Sequence, residues 1–264
     1  MGEVSQYPHG TFCWVDLETT DVPTAKAFYA GLFGWDMEDL PSGETTYTMC
    51  RLGGKDVAAI YLGPGPGRPQ YPPHWNSYIA VTDLDFATSQ AKGLGASMIA
   101  EPFDVMDTGR MAVIQDATVA VVNLWEPKPF SGARLVNEVG AWSWNELVTP
   151  DIEGAKAFYA ALLGWDAADV PAGFPRASFT LGRFLIGGVH VPTKGEGEAS
   201  RWEVSFRVAD VDATAELARD LGGQIQFPPM DIPVGRFSVI RDPTGAALTI
   251  TAFPAGPVRG VDGS

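Results

Sequence analysis

The sequence predicts an α+β fold made of four modules, each with the element order strand, helix and three strands (βαβββ). Residues 10–41 and 140–171 match at a constant offset of 130, which indicates an internal duplication. A weaker repeat relates residues 75–85 to residues 202–212. Each half of the chain therefore carries two kinds of module.

The first and third modules open with a strand and continue into a short amphipathic helix. Asp21 can cap this helix in the first module, Pro23 can start it and Gly34 can end it. The third module repeats the pattern from Asp151 to Gly164. Apolar residues recur at helical spacing in both, so one face of each helix is predicted to pack on a sheet.

The second and fourth modules follow the same plan. Asp83 and Asp210 are predicted to begin helices that end at the glycines near positions 93 and 222. After every helix, short apolar runs separated by glycine and proline are typical of strands joined by turns.

The modules are predicted to form two tandem domains. The first domain spans residues 8–126, with modules 8–63 and 74–126, and the second spans residues 138–253, with modules 138–192 and 201–253. A sheet with one helix on one face leaves its other face uncovered until two modules meet, and two such sheets form a cup. The sequence leaves open whether modules pair within a half, across halves or between chains. The chain after Phe253 is expected to fray.

Composition excludes several classes of function. A chain of 264 residues with 45% apolar residues can fill a core, so it is not disordered or fibrous. A net charge of −14 repels both phosphate backbones and anionic lipids, so we expect no nucleic acid and no membrane among its partners. No apolar run approaches the roughly 20 residues that a membrane span requires.

The N-terminal residues lack the basic and apolar regions of a signal peptide, so the expected location is cytoplasmic. Cys13 and Cys50 are the only cysteines, and neither lies in a metal-binding or redox spacing. Both are interpreted as buried thiols.

The chain resembles the vicinal-oxygen-chelate superfamily, which includes glyoxalase I, extradiol dioxygenases and bleomycin resistance proteins. The resemblance rests on the A-K-A-F-Y and L-x-G-W-D motifs of residues 25–36 and 155–166, and on the Asp-Pro-Thr-Gly turn of residues 242–245. It covers roughly residues 8 to 253 and implies two tandem glyoxalase-like domains.

The resemblance also implies where a metal would bind, because metal enzymes of the superfamily take ligands from the first and last strands of a module. At the first-strand positions this chain has Trp14, Asn76, Trp144 and Glu203, and at two last-strand positions it has Asn123 and Thr249. Glu203 is the one strong ligand among them, so we expect no metal and no other cofactor. A register slip of two residues would instead bring in His74 or Asp16, and a site could then form from these with Glu18 or Glu203.

Strand alternation predicts which side chains line the cups. On the first strand of the first half, the side chains predicted to face the cup are those of Phe12, Trp14, Asp16 and Glu18. On the first strand of the second half, they are those of Trp142, Trp144 and Glu146. Further strands contribute Asn76, Tyr78, Asn123 and Trp125. The indoles of Trp14, Trp125, Trp142 and Trp144 offer broad apolar planes for a flat ligand.

Four acids point into the cups by the same counting: Asp16, Glu18, Glu146 and Glu203. Arg207 lies near enough along its strand to reach Glu203 or Glu146. Asp16 and Glu146 occupy equivalent positions in the two halves, and burial among tryptophans would raise the pKa of either carboxyl. These two are the candidate catalytic bases.

The predicted function is metal-free binding of a small planar aromatic molecule, an antibiotic or a polyketide intermediate, in a tryptophan-lined cup. This ligand class is implied by the resemblance to resistance and polyketide-pathway proteins. Enzymatic activity is left open: the first alternative is a metal-independent isomerase, cyclase or lyase, and the second is a metal-dependent glyoxalase or dioxygenase. The protein is expected to be a monomer or a homodimer, and the first half, with more aromatic and amide residues, is favoured slightly as the functional one.

Overall fold

A computed structural model describes residues 2–42, 45–63, 71–170, 177–193, 197, 199–233 and 235–253. The predicted tail after Phe253 and most of the proline- and glycine-rich segment between the first two modules lie outside the described residues.

The first half of the chain forms one sheet of eight strands, in the order β2-β3-β4-β1-β5-β8-β7-β6. In chain order, its elements are β1 (Phe12–Thr19), α1 (Val22–Phe33), β2 (Asp36–Ser42), β3 (Thr45–Leu52), β4 (Lys55–Leu62), β5 (His74–Ala80), α2 (Leu84–Gly93), β6 (Ser97–Val105), β7 (Gly109–Gln115) and β8 (Val121–Pro127).

The second half repeats this sheet in the order β10-β11-β12-β9-β13-β16-β15-β14. Its elements are β9 (Trp142–Val148), α3 (Ile152–Leu163), β10 (Asp166–Asp169), β11 (Ala177–Leu181), β12 (Phe184–His190), β13 (Arg201–Arg207), α4 (Val211–Asp220), β14 (Gln224–Ile232), β15 (Gly235–Arg241) and β16 (Ala247–Ala252). The predicted α+β fold of four βαβββ modules in two tandem domains is confirmed.

The helices begin where the sequence places their caps. The Asp21 carboxylate accepts a hydrogen bond from the Thr24 amide, and the Asp151 carboxylate accepts one from the Gly154 amide. Gly34 and Gly164 end α1 and α3 in the left-handed conformation at φ 70°, which glycine adopts without a Cβ penalty. None of the helices in the described ranges is long and apolar enough to cross a membrane.

The two modules of each half pair with each other through their first strands. Strand β1 runs antiparallel to β5, with Asp16 opposite Asn76, and β9 runs antiparallel to β13, with Glu146 opposite Glu203. The pairing that the sequence left open is therefore within each half. We call the concave face around Asp16 the first cup and the concave face around Glu146 the second cup.

A β-bulge interrupts the predicted alternation at the start of both first strands. The register shifts between Phe12 and Trp14 on β1, and an equivalent shift lies opposite Trp142 and Trp144 on β9. One extra residue turns the side chains before it to the other face. Phe12 consequently packs against Trp202 of the second domain, at a ring distance of 5.0 Å, rather than in the first cup.

The bulge also corrects the prediction for Trp142. Its indole N–H donates to the Asn145 side-chain oxygen at 2.8 Å, and Asn145 lies on the face opposite Trp144. The Asn145 amide in turn donates to Ser77 of the first domain at 2.6 Å. Trp142 therefore lies at the junction of the domains and does not line the second cup.

The repeated sequence motif forms the interface between the two domains. The Tyr29 hydroxyl of α1 donates to the Asp242 carboxylate at 3.0 Å, and the Tyr159 hydroxyl of α3 donates to the Asp116 carboxylate at 2.7 Å. Both tyrosines are fully buried. Each domain's helix thus contacts the last hairpin of the other domain, and the two contacts are reciprocal.

The motif tryptophans complete this interface. The indole N–H of Trp35 donates to the Gly140 carbonyl and that of Trp165 donates to the Gly10 carbonyl, both at 2.7 Å. The A-K-A-F-Y and G-W-D motifs are therefore explained by domain packing, and they lie away from the cups.

Candidate functional site

Asp16 is the centre of a hydrogen-bond network in the first cup. Its Oδ2 accepts hydrogen bonds from the hydroxyls of Tyr47 at 2.8 Å and Tyr78 at 2.7 Å. Its Oδ1 accepts one from the Asn76 amide at 3.0 Å. Both oxygens of this carboxylate are therefore occupied by protein donors, and the residue is only 1% exposed.

The network extends to both sides of Asp16. The Trp14 indole N–H donates to the Tyr47 hydroxyl at 2.9 Å. On the other side, the Asn76 amide also donates to the Tyr61 hydroxyl, and Tyr61 donates to Glu18 at 2.9 Å. Trp14, Glu18, Asn76 and Tyr78 are thus brought together around Asp16, as predicted from strand alternation.

Burial raises the pKa of Asp16 to about 6, although the hydroxyls of Tyr78 and Tyr47 and the Asn76 amide act in the opposite direction. The same burial raises the pKa values of Tyr47 and Tyr78 well above their ordinary range, and the negative charge of Asp16 adds to the effect. Both tyrosines therefore stay protonated and serve as permanent donors.

The first cup is covered by the segment that leads to the second domain. The Phe130 ring packs edge-on against Trp14 at 4.9 Å and against Trp125 at 6.1 Å. The Trp125 indole N–H donates to the Phe130 carbonyl at 3.0 Å. Trp14, Trp125 and Asn123 are consequently at most 5% exposed, so an aromatic ring of the protein already occupies the place predicted for a ligand.

The second cup is organised around Glu146. Its carboxylate accepts a hydrogen bond from the Trp144 indole at 2.6 Å and lies 3.2 Å from Nδ1 of His190. Gly188 leaves the room for this, because a Cβ there would lie 2.3 Å from the carboxylate. Burial raises the pKa of Glu146, while His190 and Trp144 act to lower it and Glu203 adds to the rise.

Glu203 lies in the second cup opposite Glu146, but its charge partner differs from the predicted one. Arg201 donates through Nε to Glu203 at 2.8 Å. The Arg207 guanidinium instead donates to the Asn137 carbonyl at 2.8 Å, in the segment between the domains. The expectation that Arg207 contacts Glu203 or Glu146 is therefore wrong, since the side chain extends along the sheet toward this segment.

The two cups differ in access. Trp144, Glu146 and Glu203 are partly exposed, with the side chains of Glu146 and Glu203 15% and 21% exposed. Their counterparts Trp14 and Asp16 in the first cup are buried. The sequence favours the first half because of its richer lining, but the tryptophan and the central acid there are buried, and the equivalent pair in the second cup, Trp144 and Glu146, is the more accessible.

The candidate metal positions do not fit a metal ion. Across the described ranges, no three or more His, Cys, Asp or Glu side chains converge as ligands. In the first cup the Asp16 oxygens already accept three hydrogen bonds, and in the second cup Glu146 is bonded to Trp144. Coordination would require breaking these bonds, so we derive no step through a metal.

Several cup residues were missed from the sequence: Tyr47, Tyr61, Phe130, His190 and Arg201. Tyr47 of β3 lies opposite Tyr61 of β4, and Tyr61 lies opposite Glu18 of β1, so strand alternation could have placed both tyrosines on the same face as Glu18. Phe130 lies in the connecting segment, outside any strand or helix, so no regular alternation of side chains predicts its direction. His190, at the end of β12, is buried beside Glu146.

Comparison with known proteins places these observations in a family. The model of the glyoxalase/bleomycin resistance protein/dioxygenase superfamily matches residues 11–119 and 141–250. CFP32 of Mycobacterium tuberculosis, which carries the name of a glyoxylase, is 43% identical over 95% of this chain and 97% of that protein. The anthracycline biosynthesis protein DnrV of Streptomyces peucetius is 34% identical over 96% of this chain and 97% of its own length.

Solved structures agree on the fold. The Mn(II)-bound glyoxalase of Novosphingobium aromaticivorans superposes with a TM-score of 0.63 at 14% identity, over 92% of this chain and 82% of that one. The duplicated modules, the paired sheets and the family match lead to one conclusion. The chain belongs to the glyoxalase/bleomycin resistance protein/dioxygenase superfamily.

Proposed function

We propose that this protein binds a small planar aromatic molecule in the second cup, against the indole of Trp144, and that no metal takes part. The observation that carries the proposal is the partly exposed indole held in place by Glu146. A fixed indole presents a flat apolar surface to a ring without losing much side-chain freedom on binding.

The charge of the second cup supports a ligand with a hydrogen-bond donor or a positive charge at its edge. Glu146 and Glu203 face each other across neighbouring strands, and Arg201 forms an ion pair with Glu203. Two relatives are named as anthracycline biosynthesis proteins, and an anthracycline is a planar aromatic compound. The free, buried thiols of Cys13 and Cys50 are compatible with the cytoplasm as the proposed location.

The test compares equivalent tryptophans of the two cups. We expect Trp144→Leu to weaken the binding of an anthracycline by about tenfold, which corresponds to roughly 1.4 kcal/mol of lost stacking and apolar contact. Trp14→Leu, in the covered first cup, is expected to leave affinity unchanged, with Trp14→Phe as the replacement if the leucine variant does not fold. Calorimetric titration of protein whose metal content has been measured gives the affinity of each variant. An equal loss of affinity in the two variants would contradict binding in the second cup.

A second candidate function is a metal-independent enzyme with Glu146 as general base, and the raised pKa of this partly exposed carboxyl favours it. The predicted alternative base Asp16 is buried and bonded on both oxygens. In an enzyme, Glu146→Gln would lower turnover by about a hundredfold or more while the ligand still binds. In a binding protein, the same change would alter affinity only.

Opening the first cup provides a further prediction. In Phe130→Ala the ring between Trp14 and Trp125 is removed, and we expect the number of bound aromatic molecules to rise from one to two per chain. The variant is expected to lose about 2 to 4 kcal/mol of stability because a packed ring is deleted. Calorimetric stoichiometry measures the first effect, and an unchanged value of one would show that the first cup cannot accept the ligand.

A further inference from the structure

Phe130 covers one end of the first cup, and the other end is partly exposed. At the covered end, Trp14 and Trp125 are at most 5% exposed. Strand β1 runs from this end to Glu18, whose side chain is partly exposed. We call the region formed by four partly exposed side chains the open end of the first cup: Glu18, Tyr61, His74 and Asn76.

Strand register brings these four side chains to one face of the sheet. His74 lies directly opposite Glu18, Asn76 lies directly opposite Asp16, and Tyr61 of β4 lies beside Glu18 on the other side. Directly opposite residues of an antiparallel pair have Cβ atoms about 5 Å apart. The Tyr61 hydroxyl donates to Oε2 of Glu18 at 2.9 Å and accepts from the Asn76 amide at 3.0 Å, so it connects the two side chains.

The open end presents hydrogen-bond acceptors to a ligand. Tyr61 occupies Oε2 of Glu18, which leaves Oε1. The Asn76 amide nitrogen donates two hydrogen bonds, which leaves the side-chain oxygen. Nδ1 of His74 lies 2.8 Å from the Pro72 carbonyl, which can only accept, so Nδ1 carries the proton and Nε2 of the neutral ring is an acceptor.

The charge of Glu18 is not balanced by a protein cation in the described parts of the chain. No Lys, Arg or His side chain described there forms an ion pair with it. Gly63 keeps Oε1 uncovered, because a Cβ there would lie 2.9 Å from this oxygen. A partly buried carboxylate is stabilised by a nearby positive charge, and the net charge of −14 attracts cations to the protein.

The second domain supplies such a cation from its own chain. By strand register, His74 corresponds to Arg201 and Asn76 corresponds to Glu203. Arg201 donates through Nε to Glu203 at 2.8 Å, so this acid of the second cup is paired within the protein. In the first cup the same strand position holds an imidazole, and the acid is Glu18 on the neighbouring strand. A positive charge is therefore what a ligand would add to the first cup.

We infer that the open end of the first cup binds the primary ammonium group of a small organic amine. An ammonium group has three N–H donors and no acceptor, and Glu18, His74 and Asn76 present one free acceptor each. Val121, two residues before Asn123 on β8, lies next to Asn76 and is 39% exposed, so it offers an apolar contact to the hydrocarbon part of the amine. This site is separate from the second cup and does not depend on the ligand proposed there.

NMR titration of the isotope-labelled full chain with n-butylamine tests the inference. We expect saturable binding, with shifts of the backbone amide signals of β5 around His74 and Asn76. n-Butanol lacks the charge and trimethylbutylammonium lacks the N–H donors, and each is expected to bind at least about tenfold more weakly. Equal affinity for either analogue would overturn the recognition of a primary ammonium group.

Variants locate the binding. Glu18→Gln removes the charge, and His74→Arg adds a guanidinium like that of Arg201 in the second domain. Each is expected to weaken butylammonium binding by about tenfold or more, and either one suffices as the test if the other does not fold. Glu101→Gln is the matched control: it removes the same charge from an exposed carboxylate that bonds Lys92 of α2, and we expect unchanged affinity.

The loss of affinity in Glu18→Gln and His74→Arg, with none in Glu101→Gln, would support the inference. Unchanged affinity in a folded Glu18→Gln or His74→Arg variant, an equal loss in Glu101→Gln, or no saturable binding to the wild type would each overturn it. Far-UV circular dichroism checks that the variants retain the fold.

Discussion

Replacing Asp116 by alanine is expected to lower the free energy of unfolding by roughly 3 to 5 kcal/mol, because four hydrogen bonds to a buried carboxylate are lost. Its Oδ1 accepts from the amides of Thr118 and Ala120 and from the Thr118 hydroxyl. Its Oδ2 accepts from Tyr159 of the other domain. The substitution therefore disrupts both the β7–β8 turn and the domain interface.

Two further variants separate these contributions. Tyr159→Phe leaves the β7–β8 turn intact. It removes the hydrogen bond to Asp116 between the domains and the one from the Trp202 indole within the second domain, so we expect a loss of about 1 to 3 kcal/mol. Tyr29→Phe is the equivalent change on the other side. Urea denaturation measures all three values, and a loss below 1 kcal/mol for Asp116→Ala would show that the turn is not a main support of the fold.

The second large effect is a dependence of stability on pH that originates at Asp16. The folded protein raises the pKa of this carboxyl from 3.8 to about 6, so folding favours the protonated form. Its stabilising contribution is fully present well below pH 3.8 and is lost as the pH rises from there through about 6. A shift of about two pKa units corresponds to roughly 3 kcal/mol.

Asp16→Asn removes this titration. The unfolding free energy of the wild type minus that of the variant is therefore expected to fall by about 2 to 3 kcal/mol between pH 4 and pH 7. Asp85→Asn is the control of opposite sign, because Arg110 lowers the pKa of Asp85 and its contribution grows with pH. A difference for Asp16→Asn that does not change with pH would show that this carboxyl titrates normally.

The sequence predicted the elements whose signals are local. The helix caps at Asp21 and Asp151, the glycines that end α1 and α3, and the repeat offset each depend on a few neighbouring residues. Strand alternation also placed Asp16, Asn76 and Tyr78 together correctly. These features follow from chain geometry that does not change with tertiary context.

The wrong predictions concern places where one extra residue interrupts strand alternation, or where segments distant in the sequence come into contact. A bulge of one residue moved Phe12 and Trp142 to the other face, and no composition signal marks it. The covering of the first cup by Phe130 depends on the path of a connecting segment. For this reason the relative access of the two cups could not be judged by counting aromatic residues.

The reciprocal contacts of Tyr29 with Asp242 and Tyr159 with Asp116 are what an isologous dimer interface contains, in which residue i meets residue j and j meets i. Before its gene was duplicated, the ancestral half-length chain would have met a second copy through these same residues. After fusion of the two copies the interface was retained, but the residues lining the two cups could differ. One cup could then be filled by the protein's own side chains while the other stayed accessible, an asymmetry that identical subunits cannot reach.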